Sequence, residues 1–194
     1  MKILICCATS KELKVVKEAI KNLNIKQKLP LEYLCTGIGN HSTIFSLTKF
    51  LTEHFNEKYF VINIGVCGYT QEQLPVIQWG IIQHLSIVKE TIIPIFLHLV
   101  PIKKLVSSET IVDNIDMLKK FKEDELFVEM ESWWIELVAQ EFQLPRLFLK
   151  VPIDKIGEET KQFDYEWALE KLRRNIDYKK LVEATLEYCR KVSG

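Results

Sequence analysis

The chain has 194 residues, and its 26 lysines and arginines are balanced by 26 aspartates and glutamates. That balance excludes the polycationic footprint of a nucleic-acid binder and gives no electrostatic ground for a membrane surface as partner, so a small ligand, neutral or locally charged, fits better. The longest apolar stretches, Tyr59 to Cys67 and Ile92 to Val100, are strand-length and fall well short of the roughly 20 residues of a membrane-spanning helix.

At the amino end, Lys2 leads straight into a short apolar run that ends at Thr9-Ser10-Lys11-Glu12. This is not a signal-peptide pattern, and a cytoplasmic location is expected. Residues 2 to 8 read as a buried strand, and Ser10 is placed to cap a helix with Leu13, Val16, Ala19, Ile20 and Leu23 on one face. A second strand-helix unit follows. Leu31 to Cys35 is its strand, Thr36-Gly37-Ile38-Gly39-Asn40 its turn, and the helix begins at an Asn40 cap with Ile44, Leu47, Phe50 and Leu51 inward.

Tyr59 to Ile64 is a third, centrally buried strand, ending in the small-residue turn Gly65-Val66-Cys67-Gly68. Ile81 to Val88 and Ile92 to Leu99 then form β-rich territory with no helix between, which predicts a mixed sheet. Residues 113 to 122 read as a short Lys-rich helix, 125 to 129 as a strand, 131 to 143 as a helix stopped by Pro145, 146 to 153 as a last strand, and Phe163 to Val192 as a helical tail. No repeat, low-complexity tract or linker divides the chain, so residues 1–194 are expected to form a single domain.

The five cysteines, Cys6, Cys7, Cys35, Cys67 and Cys189, show no zinc-site spacing, and their odd number argues against a disulfide framework. Cys6, Cys7 and Cys35 read as small buried hydrophobes. Cys67 stands apart, because the glycines around it suggest close approach of the backbone to another group. His41, His54, His84 and His98 have no metal spacing and are assigned no site, although His41 follows a glycine turn near the expected cleft.

Three acids carry most of the chemical information. Val128-Glu129-Met130-Glu131-Ser132 opens one helix, and Lys150-Val151-Pro152-Ile153-Asp154 closes the strand after it. That short connection brings Glu131 and Asp154 to one edge of an α/β sheet, where such folds keep their ligand crevices. Glu12 lies in the first turn of its helix, where the macrodipole and free N–H groups favour the carboxylate form that a base needs. Each also has a plainer reading, as first-turn helix acids for Glu12 and Glu131 and a loop cap for Asp154. The Thr36-Gly37-Ile38-Gly39 turn lacks the third glycine of a dinucleotide fingerprint, but with the Gly65 turn it makes a nucleoside-sized floor.

Five segments in order, Ile3 to Glu12, Thr36 to Asn40, Val61 to Gly68, Val128 to Glu131 and Leu147 to Asp154, resemble the nucleoside phosphorylase superfamily. The likeness spans nearly the whole chain and is strongest to the branch of methylthioadenosine/adenosylhomocysteine nucleosidases and futalosine hydrolases. It implies a three-layer, phosphorylase-like α/β fold, with a mixed central sheet flanked by helices. It also implies a homodimer acting on a small-molecule nucleoside with no metal and no organic cofactor.

By the same resemblance, Glu12 would activate a water and Asp154 would protonate the purine. Met130 and Glu131 would hold the ribose. Gly68, Cys67, Val112 and Lys150 would complete the substrate site. The phosphorolytic members resembling this chain bind phosphate with an arginine in the first loop, and Ala8 to Glu12 holds none. Hydrolysis is therefore expected, with phosphorolysis and nucleoside binding without turnover as the alternatives. The chain departs from the family pattern at Lys150, where an arginine is usual, and at Ile153, where a serine is common. Val66 replaces a small hydroxyl residue, and Ile111, in the strand-like segment Ser108 to Val112, stands where an aromatic usually stacks on the base. Trp133 and Trp134 replace small residues, either as a helix flank or subunit contact or as side chains that reshape the pocket.

Overall fold

Uninterrupted apolar runs become strands buried on both faces, and the amphipathic stretches between them become the helices that cover those faces. The computed structural model describes residues 1–194 except 24, 26–29, 88, 122–124 and 194, with backbone alone at 158 and 193. In chain order the elements are β1 (Lys2–Cys7), α1 (Ser10–Lys21), β2 (Leu31–Cys35), α2 (Asn40–Glu53), β3 (Tyr59–Tyr69), β4 (Ile77–His84), β5 (Glu90–Ile92), β6 (Ile102–Ser107), a 3-10 turn (Ile115–Leu118), β7 (Phe127–Glu129), α3 (Ser132–Glu141), β8 (Arg146–Lys155), α4 (Glu158–Lys161), α5 (Tyr165–Asn175) and α6 (Tyr178–Ser193).

Among the described residues the strands form one eight-stranded mixed sheet. Five of them close into a ring: β3 pairs with β8, β8 with β4, β4 with β6, β6 with β7, and β7 returns to the end of β3. β1 and β2 extend the sheet from β3, and β5 extends it from β4. The period-two alternation of β1 sorts its side chains between two layers. Ile3, Ile5 and Cys7 pack with Val16 and Ile20 of α1, Leu172 of α5, and Leu181 and Val182 of α6. Leu4 and Cys6 turn the other way, toward Leu47 and Leu51 of α2 and Ile135 and Val138 of α3. The result is helices, sheet, helices, the three-layer α/β architecture that the resemblance implies.

Several boundaries differ from the sequence reading. The α1 cap is Thr9, not Ser10, and α2 is capped by Gly39, with Asn40 already inside the helix. Ile44 is exposed rather than inward, because Thr43 takes the buried position. β4 starts at Ile77 and ends at His84, so the expected strand Ile81 to Val88 is displaced toward the amino end, and position 88 lies outside the described residues. Ile92 to Leu99 is strand only at its first residue, since Pro94 withholds a ladder donor. β6 was not expected at all: Lys103 and Lys104 mask it, while their ion pairs with Glu125 and Glu90 supply the missing polar partners.

The helix expected over 113 to 122 is a single 3-10 turn, and position 122 lies outside the described residues. The helical tail is two helices, broken at Ile176, whose backbone is extended. Cys35 is exposed, contrary to the buried reading, because β2 lies at the edge of the sheet.

Candidate active site

The carboxyl ends of β1, β3 and β8 and the β7–α3 turn meet around a cavity of about 310 Å³. Its wall contains Glu12, Cys67, Gly68, Val112, Met130, Glu131, Lys150 and Asp154, so the structure brings all eight sequence-predicted site residues to one place.

Glu12 belongs first to a helix cap. Thr9 accepts the Glu12 backbone N–H at Oγ1, and Glu12 Oε2 accepts the Thr9 backbone N–H and hydroxyl, each at 2.9 Å. This reciprocal capping box has a sequence signature, Thr9-Ser10-Lys11-Glu12, that the reading of Ser10 as the cap passed over. It occupies Oε2 and leaves Oε1 toward Gly65, where an added Cβ would stand 3.4 Å from that oxygen and 3.2 Å from Lys150 Nζ. The glycine therefore makes room for an acid and an ammonium of the chain itself. Burial raises the Glu12 pKa against the opposing pull of Lys150 and of the Thr9 and Val66 hydrogen bonds. The helix terminus does not dominate its charge, as position alone suggests; desolvation does.

Lys150 is fully buried and ion-paired to Glu129 at 3.0 Å. Glu129 also accepts the Glu131 N–H at 3.0 Å, and the Ser132 N–H and hydroxyl at 2.9 and 2.8 Å. Burial opposes ionisation of Glu129, but Lys150 and these donors hold its carboxyl below the ordinary range. Lys150 shows the converse balance: burial disfavours its charge, and Glu129 and Glu131 more than restore it. Among the described residues Glu131 is left with one hydrogen-bond donor, the Gly39 N–H at 3.0 Å, and Gly39 reaches it from a backbone with φ +77°. Burial and then the neighbouring Glu129 push the Glu131 carboxyl up to about 7. The glycine turn after β2 is thus part of the site through its backbone.

Asp154 reaches the cavity through an irregularity. Cys67 pairs with Pro152 and Gly68 with Asp154, so Ile153 is an extra residue in β8. Such a bulge re-aims the side chains that follow it, and Pro152, which has no N–H to give a ladder, sits beside it. Ile153 and Asp154 both reach the cavity as a result. Asp154 Oδ2 accepts the Thr160 hydroxyl at 2.7 Å. Burial raises the Asp154 pKa, and the Thr160 bond works against that rise.

Much of the remaining wall is apolar. Burial pushes the Cys67 thiol well up, so it is a small neutral surface. Val112 is buried, whereas Ile111 lies on the rim with 67% exposure, and Ser108 to Val112 is loop rather than strand. Trp133 and Trp134 do not line the cavity; they pack against buried His84 at 5.5 and 5.1 Å between ring centres. His41 lies on an outer groove with Ile44 and Phe45. Sequence reasoning missed Thr9, Thr160, Phe163 and Tyr165, which also line the cavity. Among the described residues no three His, Cys, Asp or Glu side chains come together as a metal site requires. No described helix is long and apolar enough to cross a membrane.

No protein-family model matches the sequence, and comparison with curated proteins finds no match. Solved structures do match. Futalosine hydrolase of Helicobacter pylori, studied as a mutant, superposes with a TM-score of 0.78 at 15% identity, over 96% of this chain and 99% of that one. The S-adenosylhomocysteine nucleosidase of Streptococcus pyogenes, in complex with 5-methylthiotubericidin, gives 0.76 at 17% identity, over 96% and 97%. The MTA/SAH nucleosidase of Streptococcus pneumoniae, bound to 8-aminoadenine, gives 0.75 at 19% identity, over 97% and 99%. The fold is therefore that of the nucleosidase and futalosine hydrolase branch whose motifs the five segments resemble.

Proposed function

We propose that this chain is a purine-nucleoside N-ribosyl hydrolase, of the kind that acts on methylthioadenosine, adenosylhomocysteine or futalosine. The observation that carries the reading is one cavity lined by two acids with different charged neighbours. Burial raises both pKa values, but the Lys150 ammonium pulls Glu12 back toward the carboxylate, whereas Glu159 adds to the rise at Asp154.

Breaking an N-glycosidic bond leaves positive charge on the sugar and negative charge on the base. Asp154 gives a proton to the departing base, while Glu12 Oε1 takes one from the water that attacks the sugar. Met130 and Glu131 hold the ribose, whose hydroxyls donate to Glu131 and stabilise it as a carboxylate beside the developing cation. Gly68, Cys67 and Val112 form the surface for the base. Lys150 balances Glu129, Glu131 and Glu12 around it.

A specific feature favours water over phosphate as nucleophile. Lys150 is the one Lys or Arg among the described residues lining the cavity, and Glu129 already holds it. A phosphate there would meet Glu12 and Glu131 without a cation of its own. The same reading makes the protein a cytoplasmic homodimer needing no metal or organic cofactor. Ile38 and Ile111, on the cavity rim and 60% and 67% exposed, offer a second copy apolar ground beside the mouth.

Incubation with methylthioadenosine, adenosylhomocysteine, futalosine, inosine and uridine, with and without phosphate, followed by chromatography, is expected to show free base released without phosphate. Strict dependence on phosphate would assign phosphorolysis, and binding without release would assign a non-catalytic homologue. Asp154→Asn, which keeps size but loses the transferable proton, should lower turnover by roughly 10²- to 10⁴-fold while nucleoside binding survives.

A further inference from the structure

The proton on the Thr9 hydroxyl has only one direction in which it serves Glu12. Thr9 Oγ1 already accepts the Glu12 backbone N–H at 3.2 Å, and it donates to Glu12 Oε2 at 2.9 Å. A third partner is the Tyr165 hydroxyl at the start of α5, 156 residues away in sequence, at short hydrogen-bond distance from Thr9 Oγ1. With the Thr9 proton committed to the carboxylate, Tyr165 must be the donor of that bond. We propose that Tyr165 is a positioning residue for Glu12: by donating to Thr9 Oγ1 it fixes the Thr9 hydroxyl on Glu12 Oε2 and so keeps Oε1 turned to the cavity.

This inference rests on the reading of Glu12 as the base and adds a residue that neither the motifs nor the helix cap calls for. A capping box is complete with Thr9 and Glu12 alone. The added hydroxyl closes a hydrogen-bonded chain in which each bond polarises the next. With two donors on Oε2, the proton that Glu12 takes from water goes to Oε1. Donation to Oε2 is stronger toward a carboxylate than toward a carboxylic acid, so the chain favours the ionised base. The other titratable and charged groups acting on Glu12 are Cys7 of β1, Glu131 of the β7–α3 turn, Lys150 of β8 and Tyr178 of α6, and the Tyr165→Phe change leaves each in place. The Tyr165 ring also keeps its contacts with Phe163 and the Lys11 ammonium when only its hydroxyl is removed.

The test is the acidic limb of the pH–rate profile for base release. In Tyr165→Phe the rate on that limb should fall about two- to fourfold more than it falls at the plateau. In a Thr9→Val background the same change should do nothing further. Carbon-13 NMR of the Glu12 carboxyl in ligand-free protein should show its titration moved to higher pH in Tyr165→Phe. That measurement needs no substrate, so a protein that releases no base counts against the hydrolase reading while the coupling is still decided. An unchanged limb and an unchanged Glu12 titration would overturn the proposal. If Tyr165→Phe does not fold, Thr9→Val cuts the link from the other side, and a normal Glu12 titration there overturns it equally.

Discussion

Asp154 and Glu12 are both placed by hydroxyls that motif reading did not assign. The Thr160 hydroxyl donates to Asp154 Oδ2, so in the proposed function Oδ1 is the oxygen that would carry the proton to a base. Thr160→Val, equal in size but without the donor, should raise the Asp154 pKa further and lower turnover, whereas Thr160→Ser should restore both. A pH–rate profile of the three proteins checks this, since a purely structural Thr160 would change the melting temperature and leave the profile in place. The carboxylates were legible because their spacing from predicted strand ends fixes them at one sheet edge. The hydroxyls were not: Thr160 acts from a four-residue helix that follows Gly157 at φ +130°, and Tyr165 from a helix packed against α1 through tertiary contacts alone. Only Thr9 left a local trace, the Thr-x-x-Glu spacing of a capping box.

At the scale of elements, β8 does two separable jobs. Its carboxyl end carries Lys150 and Asp154, and its first residue, Arg146, anchors it to α3 through a buried two-pronged pair with Glu136. Removing one partner leaves the other charge buried without compensation, so Glu136→Ala should destabilise the fold by about 3–5 kcal/mol. Arg146→Met with Glu136→Leu should recover much of that loss. Urea denaturation measures both, and the rate per folded molecule should match the parent, because the pair lies at the opposite end of β8 from Asp154. The run Leu147 to Val151 announced this strand plainly, and Pro145 announced the stop before it. The bulge at Ile153 did not show, because register depends on which strand lies alongside. β3 was likewise legible to Ile64, but the sequence reading stopped at Gly65, and the strand continues to Tyr69. The small residues that looked like a turn are the stretch where Gly65 gives way to Lys150 and Gly68 to Asp154 and Ile156.

Over the whole molecule, the buried cluster Glu12, Glu129, Glu131 and Lys150 sets a dependence of stability on pH that the balanced surface charge hides. Glu131 has its pKa raised from the ordinary 4.5 to about 7, by burial first and by Glu129 second. The folded state therefore holds that proton more tightly than the unfolded state. The stabilisation is complete below 4.5 and is lost as pH rises through about 7. His84 acts in the opposite sense, because burial lowers its pKa below 6.5 and its contribution is lost as pH falls. The two overlap, so the melting temperature of the parent protein alone does not separate them. The difference between Glu131→Gln and parent does, since glutamine keeps an acceptor for the Gly39 N–H and cannot ionise. That difference should grow steadily in favour of the variant from about pH 4.5 to above 7, measured on ligand-free protein by thermal melting. A difference constant with pH would mean that Glu131 is already ionised in the empty site. If Glu131 also serves the ribose, the more stable variant should be the poorer enzyme, because the charge that is costly in the empty cavity is the one a cationic sugar requires.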